Sequence, residues 1–203
     1  MTFNKHMDAW FTGRDNIGTE LQRSGLTGLG VEVGTHRGEF ARSILCSWQS
    51  CERFYCVDHW AVPPGYEYQA KLLVQHLHGG VDRETDFQRA LQLVADFKDR
   101  VELVRADSAV AVNQFADNSL SFVYLDGDHS SEGIRRDLAI WWPKVKLGGW
   151  FCGHDVLCPG GEADAWDRSI YPAVAEFCDK HRQAFLVIKD HGADPASFLI
   201  VKE

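Results

Sequence analysis

The chain has 203 residues, 45% hydrophobic and 25% charged, with a net charge of -8, which suits one soluble domain with its own core. The negative balance disfavours a nucleic-acid partner, which needs a basic surface, and no apolar run approaches the roughly 20 residues of a membrane helix or forms a secretory signal at the N-terminus. The six cysteines, Cys46, Cys51, Cys56, Cys152, Cys158 and Cys178, form no CxxC pair, so reduced thiols and a cytoplasmic location are expected.

Residues 1–13 read as a surface arm, followed by a short helix over 15–24 with Asp15 as N-cap and Ile17 and Leu21 on one face. Leu29–Val33 is a buried strand that stops at Gly34, turns, and opens a helix near Gly38, where Phe40, Ile44 and Trp48 keep helical spacing. A second strand, Arg53–Val57, ends in Asp58-His59-Trp60. Residues 61–98 then break the rhythm with a Pro-Pro-Gly loop, a helix over Tyr66–His78 and another over about 83–98. Inserts of this kind become lids or dimer arms, so a homodimer is a candidate assembly.

The third strand, Val101–Arg105, leads through Ala106-Asp107-Ser108 into a short helix over 108–116. The fourth, Leu120–Leu125, ends in Asp126-Gly127-Asp128-His129 and feeds a helix over 131–142 with Ile134, Leu138 and Trp141 inward. Lys146–Gly149 reads as a turn before the fifth strand, Trp150–Gly153, which ends in His154-Asp155. A Gly/Pro loop at 158–161, a helix over 170–182 and two strands, Ala184–Ile188 and Ser197–Val201, complete the chain. Only about eight residues join the last two strands, too few for a parallel crossover, so they form an antiparallel hairpin. The expectation is an α/β fold, mostly parallel with one reversed strand and helices on both faces. It is one domain over 1–203, with an N-terminal arm 1–27 and a helical insert 61–98.

A strand feeding a helix through a glycine turn is where open α/β sheets bind ligands. The dinucleotide spacing G-x-G-x-x-G and the phosphate-loop spacing G-x-x-x-x-G-K-[ST] are both absent; the spacing here is Glu-x-Gly-x-x-x-Gly. That predicts a ligand without a pyrophosphate. Glu32 lies inside an apolar strand, where a carboxylate is costly unless something pairs with it. Asp126 and Asp155 end strands expected to be neighbours, so they project above one edge with Asp128, His129 and His154 nearby. Such oxygen donors suit Mg²⁺ or another divalent ion. The plainer alternatives are a helix cap for Asp128-His129 and a backbone hydrogen bond for His154.

Glu32-Val33-Gly34-Thr35-His36-Arg37-Gly38 resembles the first motif of class I S-adenosylmethionine-dependent methyltransferases. Asp58, Ala106-Asp107-Ser108, Tyr124–Ser130 and Gly148–Asp155 resemble further motifs of one subgroup, the small-molecule O-methyltransferases related to macrocin O-methyltransferase and the cephalosporin-pathway methyltransferase-like proteins. The resemblance implies a Rossmann-like doubly wound sheet of seven strands in the order 3-2-1-4-5-7-6. It implies S-adenosylmethionine as cofactor, with Glu32, Gly34, Thr35 and Gly38 at its methionine end. Asp58 would take the ribose with His59 lining the cofactor loop, Asp107 the adenine amino group, and Ser108 a ring nitrogen or the next helix cap, with Asp126 beside them; the plainer reading of Asp107-Ser108 is a helix N-cap alone. It also implies a divalent metal on Asp126 and Asp155, with His154 standing where a carboxylate is common. The candidate catalytic residues are Asp126, His129 and His154, the two histidines as alternative general bases. The implied reaction is methyl transfer to a hydroxyl of a small molecule. The rivals are a metal-dependent hydrolase using the Asp/His cluster and a cofactor-binding module without turnover.

Overall fold

The computed structural model describes residues 13–61, 83–156, 167–189 and 196–203. Residues 1–12 of the expected arm, the helix over Tyr66–His78 and the loop at 158–161 lie outside the described residues. A 3₁₀ turn at Arg14–Asn16 precedes α1 (Ile17–Arg23), β1 (Gly28–Val33), α2 (Glu39–Ser47) and β2 (Cys51–Asp58). Then come α3 (Arg83–Val94), β3 (Val101–Arg105), α4 (Ser108–Ala111), β4 (Leu120–Leu125) and α5 (Ser131–Trp141). The chain closes with β5 (Val145–Gly153), α6 (Asp167–His181), β6 (Leu186–Ile188) and β7 (Ser197–Val201).

The sheet has seven strands in the order β3-β2-β1-β4-β5-β7-β6. The pairs from β3 through β5 are parallel, and β7 runs antiparallel to both β5 and β6. β4 is buried at every position, as expected of a central parallel strand covered on both faces. Its side chains alternate: Phe122 and Tyr124 join a core with α1 and α2, while Val123 and Leu125 join a core with α5 and α6. From β1 the chain moves outward to β2 and β3, and from β4 it moves the other way. The crevice above the carboxyl ends of β1 and β4 is therefore the ligand position that this topology favours.

Three expected boundaries shift. Asp15 does not cap α1; Asn16 holds the N-cap position without a side-chain bond, because the 3₁₀ turn moves the start one residue on. The expected turn Lys146–Gly149 lies inside β5, where the register to β4 jumps between Leu120 and Phe122. Its backbone is satisfied by the C-terminus: the Gly148 N–H donates to Lys202 O at 2.7 Å and the Lys202 N–H to Gly149 O at 3.0 Å. The helix expected over 108–116 is one α turn followed by a 3₁₀ turn, Val112–Gln114.

Candidate active site

The glycine loop is shaped by the protein's own backbone. A Cβ on Gly34 would lie 2.0 Å from Asp126 O, and Gly34 has φ +92°, so only glycine lets the two strand ends pass. Gly38 has φ +85° and faces Ala90 of α3, whose Cα would be 3.3 Å from an added Cβ. The loop is tied down by Gly34 N–H to Val57 O at 2.8 Å and by Asp126 N–H to Val33 O at 2.7 Å. Under it Glu32, 1% exposed, sits between Cys56 of β2 and Tyr124 of β4. Its Oε2 and the Thr35 Oγ1 are buried and make no hydrogen bond of normal geometry, although the Thr35 hydroxyl is near enough to work against the rise in the Glu32 pKa. Burial first, and then the Asp126 carboxylate, hold the Glu32 carboxyl well above its ordinary range.

Asp58 accepts the His36 N–H on Oδ2 at 2.9 Å and the Trp60 N–H on Oδ1 at 2.8 Å, which fixes its carboxylate at the end of β2. Trp60 is buried, and its indole N–H donates to His36 O at 2.6 Å, bracing the β1 and β2 loops against each other. The His59 ring is exposed; its Nδ1 accepts the Ala61 N–H at 3.0 Å and lies 3.9 Å from Asp58 Oδ1. Asp107 caps α4 by accepting the Ala109 N–H at 2.8 Å. Ser108 departs from its expected role. Its hydroxyl donates to Asp137 Oδ1 at 2.9 Å and accepts the Trp141 indole N–H at 2.8 Å, inside the core. That commits the side chain to a buried network and leaves only its backbone for an adenine. Asp137 was missed in the sequence, although it shares a helical face with Ile134 and Trp141 (i, i+3 and i, i+4).

A second missed residue ties the insert to the loop. Asp86 of α3, 4% exposed, accepts the Arg37 Nε–H at 2.7 Å and lies 3.4 Å from His36 Nε2 and 3.8 Å from Arg83. Burial lowers the His36 pKa, and Arg37 and Arg83 push the same way against Asp86.

Across the crevice the expected Asp/His cluster is assembled. Among the described residues, Asp126, His154 and Asp155 form a group whose potential ligand atoms all lie within 4.8 Å of one another. His129 Nδ1 is 3.0 Å from Asp155 Oδ2, and its Nε2 is 3.4 Å from Asp126 Oδ1. The cap alternative is answered by Ser130, whose hydroxyl accepts the Gly133 N–H at 3.0 Å; Asp128 braces that turn by accepting the Ser130 N–H at 2.9 Å. Burial works to lower the His129 pKa, but Asp126, Asp155 and Asp128 outweigh it and the net shift is upward. Burial likewise works to raise the Asp155 pKa, and His154, His129 and Arg14 prevail to lower it.

Arg14 is a third residue at the site that the sequence did not single out. Its Nη1 lies 3.0 Å from His154 Nε2 and 3.7 Å from Asp126 Oδ2. A guanidinium only donates, so His154 Nε2 must accept. The ring proton is then on Nδ1, which faces Asp155 Oδ1 at 3.2 Å and Asp126 Oδ1 at 3.7 Å. This tautomer corrects two expectations. His154 has no lone pair left to act as general base. Nor can it ligate a metal through Nδ1, because metallation there would move the proton to Nε2 and set it against the Arg14 N–H. With Arg14 in place, the donor set does not fit a divalent ion.

Parallel strands reversed at β1/β4, a single antiparallel β7, and acids from β1 to β5 along one edge define the Rossmann-like architecture of methyltransferases. The chain belongs to the methyltransferase-domain family, whose model matches residues 31–156. Solved structures agree in fold. The O-methyltransferase of Bacillus cereus in complex with SAH is 14% identical, with a TM-score of 0.66 over 99% of this chain and 83% of that one. A protein from Corynebacterium glutamicum is also 14% identical, with a TM-score of 0.65 over 100% of this chain and 84% of that one. The N-methyltransferase NodS from Bradyrhizobium japonicum is 14% identical, with a TM-score of 0.56 over 94% of this chain and 95% of that one. No helix among the described residues is long and apolar enough to cross a membrane.

Proposed function

We propose that the chain transfers the methyl group of S-adenosylmethionine to a hydroxyl oxygen of a small molecule. Three buried side-chain polar atoms among the described residues have no hydrogen-bond partner, His129 Nε2, Glu32 Oε2 and Thr35 Oγ1, and the observation that carries this reading is that the last two lie at the glycine loop with the braced carboxylate of Asp58. A buried acceptor left unmade costs about 1–3 kcal/mol, so its presence at a strand-end crevice suits a ligand that brings donors. Glu32 and Thr35 would hold the methionine ammonium. Asp58 would take the two ribose hydroxyls, since each of its oxygens keeps a lone pair beyond the backbone bond it accepts. Asp107 would face the adenine amino group. When bound, S-adenosylmethionine supplies a methyl group on a positively charged sulfur, an electrophile that needs no further activation.

The chain's own task is to position the acceptor and remove its proton. His129 suits that role. Asp155 accepts its Nδ1–H, which leaves the Nε2 lone pair as the proton acceptor, and Asp126 stands ready to stabilise the imidazolium. A base at this position favours a hydroxyl acceptor, which must lose its proton, over a neutral amine, whose lone pair is already available. The five described cysteines are free thiols, which suits a reducing cytoplasm.

Isothermal titration with S-adenosylhomocysteine tests the reading. Wild type binds it, and Asp58→Ala weakens binding by about 10–100-fold, the loss of hydrogen bonds to a charged group. His129→Ala keeps that affinity but loses transfer of a labelled methyl group to hydroxylated acceptors by about 10²–10⁴-fold. The absence of both titration heat and a thermal shift with S-adenosylhomocysteine would defeat the proposal.

A further inference from the structure

The acid cluster needs positive charge. Asp126 and Asp155 both approach His154 Nδ1, at 3.7 and 3.2 Å, and each is less than one-fifth exposed. Two carboxylates converging in a half-buried site repel each other unless a cation stands between or beside them. His129 touches both carboxylates, and a permanent cation reaches the cluster from outside the sheet. Arg14 reaches Asp126 Oδ2 and His154 Nε2 from the 3₁₀ turn that leads into α1. The turn is anchored because Ile17 and Leu21 of α1 are fully buried against α2. The guanidinium also lies over the Phe40 ring, 5.5 Å from its centroid, and Phe40 packs on Tyr124 at 4.1 Å between centroids. The charge is thus held by packing as well as by its ion pair.

We propose that Arg14 is the resident cation of this site, held against Asp126 Oδ2 and His154 Nε2 beside the point where His154 Nδ1, Asp126 and Asp155 would otherwise gather a divalent ion. It is a positioning residue: it locks His154 as the Nδ1–H tautomer, aims that proton at the two carboxylates, and makes the site independent of metal. The inference rests on the methyl-transfer reading only for what the site is for; the cation's identity stands on the contacts alone. Removing Arg14 frees His154 Nε2 to carry the proton, and Nδ1 then becomes a third donor beside two carboxylates that have lost their permanent cation and keep only His129.

Mn²⁺ binding to the full chain, followed by the electron paramagnetic resonance of the free ion, tests this. Wild type and Arg14→Lys leave Mn²⁺ free, whereas Arg14→Met binds it at least about 100-fold more tightly, as loss of a unit charge at contact distance implies. Asp126→Asn in the Arg14→Met background removes that binding. S-adenosylhomocysteine titration on the same proteins reports that each is folded. Tight Mn²⁺ binding by wild type overturns the proposal, as does an Arg14→Met protein that binds S-adenosylhomocysteine but no Mn²⁺. If wild type and variants follow the Mn²⁺ pattern with native thermal transitions yet none binds S-adenosylhomocysteine, the methyl-transfer reading fails and the assignment of Arg14 stands.

Discussion

Replacing Glu32 with glutamine separates what this residue costs the fold from what it gives the ligand. The Glu32 carboxyl is enclosed by the sheet, and burial together with Asp126 raises its pKa well above the ordinary 4.5. An unfolded chain releases this proton near 4.5, whereas the folded chain keeps it. Between 4.5 and the folded value the unfolded state therefore binds one proton fewer, and stability falls as pH rises. One proton corresponds to a slope of about 1.4 kcal/mol per pH unit. Glutamine has the shape of the neutral acid and no charge to hide. The stability of Glu32→Gln minus that of wild type should accordingly grow with that slope above pH 4.5, then level off once Glu32 ionises in the folded protein. Urea unfolding of both proteins across a pH series measures the difference directly, and other titrating groups cancel in it. With ligand the sign reverses. Glu32→Gln should bind S-adenosylhomocysteine about 10–100-fold more weakly, because a charged hydrogen bond is lost. Wild type should release a proton on binding, seen as a dependence of the titration heat on the buffer. A stability difference that is flat in pH would refute the account of Glu32 as a buried, neutral acid.

Two further substitutions test the loop and the adenine side. Gly34→Ala would set its new Cβ against Asp126 O, too close for any real contact, and must hold a positive φ; it should cost about 3 kcal/mol or ~6–12 °C in melting temperature, read by thermal unfolding. An alanine variant as stable as wild type would mean the strand ends are not packed as described. Ser108→Ala leaves the buried Trp141 indole N–H without its acceptor and should destabilise by about 1–3 kcal/mol, while S-adenosylhomocysteine affinity stays within about twofold. A large affinity loss with unchanged stability would return Ser108 to the ligand.

Much of the scaffold was legible because its signals are local. Apolar runs bounded by glycine marked β1 and β4, helical spacing marked α2 and α5, and the short final connection required an antiparallel pair. The strand-end acids Asp58, Asp107, Asp126 and Asp155 followed from those boundaries, since a parallel sheet brings all carboxyl ends to one edge. The bulge in β5 was not legible: Lys146–Gly149 carries the composition of a turn, and it joins the sheet only because the backbone of Gly148 and Gly149 pairs with Lys202. Ser108 looked like a ligand contact because its position in the chain says nothing of Asp137 and Trp141, 29 and 33 residues further on.

By itself, then, the sequence determined the order of strands and helices, the glycine turn and the edge on which the acids gather, because periodicity and turn chemistry act over a few residues. Only the tertiary structure decided the electrostatics of the site. Arg14 is 140 residues from His154, yet their contact sets the imidazole tautomer, removes one candidate base and leaves His129 as the other. Contacts between distant segments have no periodic signature. Proton positions at a polar site depend on which donor arrives from elsewhere in the fold.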